Sequence, residues 1–319
     1  MKRFIEAQEM SYQTALAEIR AGYKSGHWIW YIFPQIQGLG YSYMSNFYGI
    51  KDLQEAVRYL EDETLGPRLR EITSALLAIK GRTAVEILGD TDALKVRSCM
   101  TLFDCLCPHD IFEQVLIKYY QGTYCIKTVK SLIDINKALS YIGADPEDFH
   151  LKNSMFNRSP SRSIHGIDHV YRTMIACALI GEMTQKPREG LLAFCGAYIH
   201  DLARATDYEE EEHGANAALN HFDKFNGLWD KYSLTPEERT YVKEAVRQHS
   251  TKETTRIGEP GYDVMAILKD ADALDRCRIG DLDIKYLRYK ESRHLVRIIE
   301  FIYRNTRREY SDISFKDFI

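Results

Sequence analysis

The stretch that most constrains this chain is Leu191 to Ala205, LLAFCGAYIHDLARA, an apolar helical run that delivers His200 and Asp201 at its end. An imidazole and a carboxylate set directly after a buried run lose hydration, and something must offset that loss. A metal ion is the simplest partner. The second half of the chain supplies further ligand candidates on both sides of the pair. They are His165 and His169 upstream, then His213, His249 and the three acidic residues of KDADALDR, Asp270, Asp272 and Asp275.

At 319 residues the chain is too long for one ordinary core and suits two domains of about 150 residues each. Lys plus Arg number 42 against 46 Asp plus Glu, and the resulting net charge of -4 gives no electrostatic footprint for broad nucleic-acid binding. Apolar runs are short and interrupted, so no membrane partner is expected. The first ten residues, MKRFIEAQEM, lack the apolar region of a signal peptide, which makes a cytoplasmic protein the expectation. The 7 cysteines are odd in number, scattered, and include no C-x-x-C pair, so neither a disulfide framework nor a zinc ribbon is indicated. Oligomeric state is left open.

Phe4, Ala7, Ala15, Leu16 and Ile19 fall near helical spacing, and Gly22 offers a stop. The segment that follows, GHWIWYIFPQIQGLGYSYMSNFYGI from Gly26 to Ile50, is aromatic and glycine-rich, and Pro34 rules out a continuous helix. Such a segment can stack a planar ring or build a core with tight turns. Asp52 to Ala78 reads as two helices broken at Gly66-Pro67. Asp92 to Phe103 sets Lys95, Arg97, Ser98 and Thr101 among apolar residues, and a further helix is expected around Ile111 to Tyr120.

The strings F-x-x-A-Q at Phe4 to Gln8, HWIWYIFPQIQGLG at His27 to Gly40, EAVRYL at Glu55 to Leu60 and D-x-x-K-x-x-S-x-M-T-L-F at Asp92 to Phe103 resemble domain-of-unknown-function family 1810, sometimes misnamed calpastatin. The likeness covers roughly residues 4 to 133. Members usually carry Gly-x-x-Asp-x-x-Thr near the end. Here that stretch is Gly122 to Thr128, with Cys125 where Asp is expected. The family in turn resembles the NADAR group, which acts on ADP-ribose linkages. That resemblance implies a nucleotide-type pocket, with His27, Trp28, Trp30, Gln35, Lys95 and Ser98 as candidate contacts.

A boundary is expected between Asn136 and Arg162, where GADP is turn-forming and KNSMFNRSPSRS has the composition of an exposed linker. We assign 1–140 to the first domain, 141–161 to the linker and 162–319 to the second domain. In the second domain, His165 and His169 are four apart and share a face if the helix has begun by His165. Arg204 follows Asp201 by three residues, as a guanidinium able to clamp a phosphate would. Thr235-Pro236-Glu237-Glu238 is a strong helix start, and the helix runs to His249. Asp272, four residues after Leu268, is the acidic residue of its segment expected to point inward, while Asp270 and Asp275 are expected to pair with Lys269, Arg276 or Arg278.

The order His, then His-Asp, then Asp on separate helices resembles the HD superfamily of metal-dependent phosphohydrolases. That resemblance implies an all-α helical bundle and a metal site of His169, His200, Asp201 and Asp272. It fits His169-Val-Tyr-Arg172 better than His165, so His165 and Arg172 become substrate-side candidates. Asp201, Arg204, His213 and His249 are the implied catalytic group, with His213 and His249 holding a second ion or neutralising a leaving oxygen. The cofactor expected is one or two divalent transition-metal ions, Mn, Fe, Co, Ni or Zn. The expected protein is thus mainly α throughout, a hydrolase of a nucleotide or nucleotide-derived phosphoester. The alternatives are an HD-fold di-iron oxygenase and a non-catalytic nucleotide sensor.

Overall fold

The computed structural model describes residues 1–158, 163–208, 210–306 and 314–318, and it divides into two compact units, Met1–Asp134 and Ile135–Ile319. Both are helical, as expected. Among the described residues, β-type pairing is confined to one parallel bridge between Ile36 and Ile50. No helix among them is long and apolar enough to cross a membrane.

In the first unit, α1 (Lys2–Ala21) buries Phe4, Gln8, Tyr12, Ala15, Leu16 and Ile19 and ends on Gly22, whose φ of 75° is the left-handed conformation that favours glycine. The buried stripe runs through Gln8 rather than Ala7. Gln8 Nε2 donates to the Tyr31 carbonyl at 2.7 Å and to the Tyr59 hydroxyl at 3.0 Å. An amide can be buried there because the aromatic segment presents it with acceptors. The helices α2 (Leu53–Glu61) and α3 (Leu65–Ala78) break at Asp62–Thr64, earlier than expected, because the Asp62 carboxylate takes the amides of Thr64 and Leu65. Gly66-Pro67 lies inside the first turn of α3, where a missing N–H costs nothing. A side chain on Gly66 would meet the Leu60 carbonyl oxygen. The unit is completed by α4 (Asp90–Leu106), α5 (Ile111–Tyr120) and α6 (Ile126–Leu132).

The second unit begins at Ile135, ahead of the expected linker. Its longer helices are α7 (Ile135–Ile142), α8 (Ile167–Met183), α9 (Pro187–Ile199), α10 (His213–Asn220), α11 (Pro236–Gln248), α12 (Tyr262–Leu274) and α13 (Val296–Thr306). Much of 141–161 is packed rather than free. Phe149 is fully buried, edge-on to Phe194 and Tyr198 at 4.9 and 5.2 Å, and the Leu151 amide donates to the Tyr171 hydroxyl. The polar run itself is exposed at Lys152, Asn153, Ser154, Asn157 and Arg158, and Asn157 ties it to the fold by donating from its backbone N–H to Leu202 O and from Nδ2 to Ala203 O. Residues 159–162, at the end of that stretch, and residue 209 lie outside the described residues.

Two close approaches position the site. A Cβ on Gly181 or on Gly190 would stand 2.9 Å from the other's Cα, so α8 and α9 cross at a distance only paired glycines permit. A Cβ on Gly214 would stand 2.5 Å from Val246 O and 2.9 Å from His249 Nδ1, so glycine lets the start of α10 reach the end of α11.

Candidate metal centre

Helix α9 ends at Ile199, and the next two residues turn inward as a buried His200 and Asp201. His169 lies in the first turn of α8, His213 at the start of α10, His249 at the end of α11 and Asp272 in the last turn of α12. Helix ends and first turns from five elements thus converge, and their side chains meet around Asp201.

Its two carboxylate oxygens face different partners. Oδ2 lies 2.8 Å from His165 Nδ1, 3.3 Å from His169 Nε2 and 3.7 Å from His200 Nε2. Oδ1 lies 3.1 Å from His213 Nε2, 3.7 Å from His249 Nε2 and 3.1 Å from Arg204 Nε. Asp272 Oδ1 stands 3.3 Å from His169 Nε2, and its side chain is 26% exposed against 2% or less for His169, His200 and Asp201, so the cluster opens to solvent beside Asp272. Among the described residues, three sets have ligand atoms all within 4.8 Å of one another: His165, His169 and Asp201; His169, His200 and Asp272; and His200, Asp201 and His249.

The donor chemistry fits a cation. The Nδ1 atoms of His200, His213 and His249 lie against the carbonyls of Ala197, Glu210 and Val246, and a carbonyl only accepts, so those nitrogens carry the protons. Their Nε2 lone pairs are then turned into the cluster, where His213 and His249 meet at 2.8 Å and His169 and His200 at 3.2 Å. The His213 and His249 lone pairs at 2.8 Å repel unless positive charge lies between them, and at His169 a proton supplies that charge until an ion displaces it. Burial pushes the His200 imidazole down to about 3, which keeps it neutral and able to ligate. Burial and Arg278 also oppose a proton on His169, yet Asp201, Asp272 and Asp275 outweigh them and lift it to about 10. Burial would raise Asp201 and Asp272 as well, but the surrounding histidines hold both carboxyls well below the usual range. The carboxylates demand positive charge where the Nε2 atoms converge, and a divalent ion answers that demand.

Asp275, expected to pair with Lys269, Arg276 or Arg278, does lie 3.5 Å from Arg278 Nη1, and its closer partners make it a central support. It is fully buried, takes His169 Nδ1–H at 2.7 Å, and takes Arg172 Nε and Nη2 at 2.5 and 3.0 Å. This carboxylate orients the His169 ring so that Nε2 faces the cluster. Arg172 is thereby corrected: its Nε and Nη2 go to Asp275 and its Nη1 to Asp168 Oδ2 at 2.7 Å, so all three nitrogens are already committed. Arg204 is also differently used, with Nε on Asp201 and Nη1 on the carbonyls of Thr206 and Tyr208. Asp270 belongs to a separate structure, accepting from the amides of Arg288 and Tyr289 and from the Arg288 side chain.

In the first unit the expected nucleotide contacts have different surroundings. Trp28 is 2% exposed and donates from Nε1 to Glu18 at 2.9 Å, so it is core. Ser98 is buried, its hydroxyl 2.7 Å from that of Thr128, and Arg97 is spent on the carbonyls of Thr123 and Tyr124. The Gln35 backbone carbonyl accepts from Ile50 N–H, and His27 is exposed. Trp30 and Lys95 do meet, with the ammonium 4.6 Å from the ring, and Asp92 ties Lys95 to Lys24 at 2.9 and 2.6 Å. Cys125 occupies the N-cap of α6 with no capping bond from its side chain. An aspartate at an N-cap can accept from an amide of the first turn.

The model of the family described as Protein of unknown function (DUF1810) matches residues 1–132, and that of the HD domain matches residues 166–277. Among solved structures, a conserved hypothetical protein, Rv1873 from Mycobacterium tuberculosis, is 45% identical over 41% of this chain and 94% of its own, with a TM-score of 0.41. No curated protein matches the chain.

Proposed function

For a chain that joins a DUF1810 domain to an HD domain, we propose metal-dependent hydrolysis of a nucleotide or nucleotide-derived phosphoester by the second unit. The observation that carries this reading is the convergence of buried imidazole Nε2 atoms on Asp201 with their Nδ1 protons held elsewhere. His169, His200, Asp201 and Asp272 would hold one ion. His213 and His249, facing the other oxygen of Asp201, would hold a second.

A divalent ion bound there would acidify a water and polarise a phosphoryl oxygen. The chain's own groups do the rest. Asp275 fixes the His169 ring, Arg204 pins Oδ1 of Asp201, and His165 steadies Oδ2. Tight anchoring of this kind spares the site reorganisation during reaction. The ligand set of imidazoles and carboxylates suits Mn, Fe, Co, Ni and Zn alike.

The test is metal analysis followed by a metal-supplemented screen of nucleotides, dinucleotides and ADP-ribose phosphates. Asp201→Ala should lose metal and phosphoesterase activity while its circular dichroism stays that of the parent. Full activity in a metal-free Asp201→Ala preparation would end the proposal. The two-sided use of Asp201 also suits a di-iron oxygenase, which iron content with oxygen-dependent turnover would reveal.

For the first unit we propose a nucleotide-type anion contact narrowed to Trp30 and Lys95. The half-exposed indole beside a lysine supports it. Titration of the full chain with ADP-ribose, NAD and nucleotide phosphates tests it, with Trp30→Ala as the variant expected to weaken binding.

A further inference from the structure

Arg278 lies in the short turn Asp275–Arg278 that follows α12, and its side chain is 5% exposed. Its Nε donates to Ile164 O at 2.9 Å. The other two nitrogens have no comparable use. Nη1 is buried without a hydrogen-bond partner among the described residues, standing 3.5 Å from an Asp275 oxygen that already receives Arg172 and His169. Nη2 lies 3.3 Å from His165 Nδ1. That nitrogen is also 2.8 Å from Asp201 Oδ2, and a carboxylate only accepts, so Nδ1 carries the proton and cannot accept another from Arg278.

A buried guanidinium whose Nη1 has only a 3.5 Å ion contact and whose Nη2 faces a protonated nitrogen is unusual, because such donors are nearly always satisfied. Arg172 is shared between Asp275 and Asp168, so Arg278 offsets part of the Asp275 charge, yet its Nη1 still has no hydrogen-bonded oxygen among the described residues. What the two amino groups would match is a planar pair of oxygens carrying negative charge. They sit one imidazole ring away from the Asp201 cluster, on the His165 side.

We infer that Arg278 is the residue that receives the substrate's phosphoryl group, its Nη1 and Nη2 edge taking two phosphate oxygens beside His165. The inference rests on the phosphohydrolase reading and deepens it. It moves the phosphate contact from Arg204, whose Nε and Nη1 are committed to Asp201 and to its own loop, to Arg278. The sequence offered no sign of this, because three arginines and lysines crowd that segment and only burial separates Arg278 from Arg276, which is exposed and paired with Asp281.

The test uses the metal-loaded full chain and two probes, inorganic phosphate by calorimetry and p-nitrophenyl phosphate by turnover. Arg278→Lys keeps the charge and removes the fork. It should bind phosphate about 10 to 100 times more weakly and raise KM by a similar factor, as loss of a charge-assisted contact does. Metal content and Tm should stay at parent values, and Arg276→Lys should match the parent in every respect. Parent-like phosphate binding and KM in Arg278→Lys overturns the inference while leaving the phosphohydrolase reading intact. Loss of metal and Tm together with phosphate would make Arg278 a structural residue and also overturn it. A metal-loaded parent that neither binds phosphate nor turns over the ester removes the phosphohydrolase reading itself, and the inference with it.

Discussion

His213 Nε2 and His249 Nε2 face each other at 2.8 Å, each with its Nδ1 proton committed to a backbone carbonyl. Two lone pairs at that distance destabilise the ends of α10 and α11 unless a cation joins them. Folding should therefore be linked to metal. An ion present at a hundred times its Kd stabilises the folded state by about 2.7 kcal/mol. Tm measured with chelator should fall below Tm measured with Mn, Fe, Co, Ni or Zn, and His249→Gln should shrink the difference. Identical Tm values under all conditions would remove the metal from this pair.

Asp275 gives a second expectation. Asp275→Asn keeps the shape of the side chain while leaving Arg172 buried with Asp168 as its remaining carboxylate. Removing one member of a buried ion pair costs about 3 to 5 kcal/mol, and loss of the carboxylate behind a ligating histidine weakens metal binding about 10 to 100 times. Urea unfolding and metal titration measure the two effects separately. A variant with parent stability and parent metal affinity would show that Asp275 supports neither.

The ligand candidates were legible in the chain because each sits at a helix end that the sequence marks. His200-Asp201 closes an apolar run, and His249 ends a helix that begins with the Thr235 to Glu238 capping box, whose two reciprocal bonds the structure contains. Their partners were not legible. Asp275 and Arg278 lie in a run of charges where spacing cannot tell a buried group from a solvated one, and Arg172 looked available only because its two aspartates are 4 and 103 residues away. The aromatic segment failed in the same way. Composition allowed a stacking pocket or a core, and the acceptors that make Trp28 core come from Glu18 in a different helix.

Cys125 offers a gain rather than a loss. It stands at the N-cap of α6, its backbone in the extended conformation of a capping residue (φ -76°, ψ 100°), yet its side chain caps nothing. Cys125→Asp should let a carboxylate take an amide of the first turn and add about 1 kcal/mol to stability. Chemical denaturation of the full chain checks the sign. A decrease would show that the thiol is needed where it is.

The last expectation concerns Glu18, which gathers the loop before Trp28. Its carboxylate accepts from the amides of Ser25 and Gly26, from the Ser25 hydroxyl and from Trp28 Nε1 at 2.8 to 3.1 Å. Burial pushes its pKa up, but these bonds outweigh burial and bring it down to about 2. A carboxyl depressed in the folded state adds stability above its unfolded pKa of about 4.3, and that stability is lost as pH falls through the folded value. The window is therefore about pH 4.3 down to about 2. Glu18→Gln removes the titrating group, so unfolding free energy followed by tryptophan fluorescence should fall less steeply across that window than in the parent. The variant should also be less stable at neutral pH, where the parent carboxylate is fully charged. Superimposable pH profiles would refute the role of Glu18. Trp28→Ala belongs to the same test: as a core indole it should cost about 3 to 5 kcal/mol of stability, whereas Trp30→Ala should act on ligand binding with little change in unfolding.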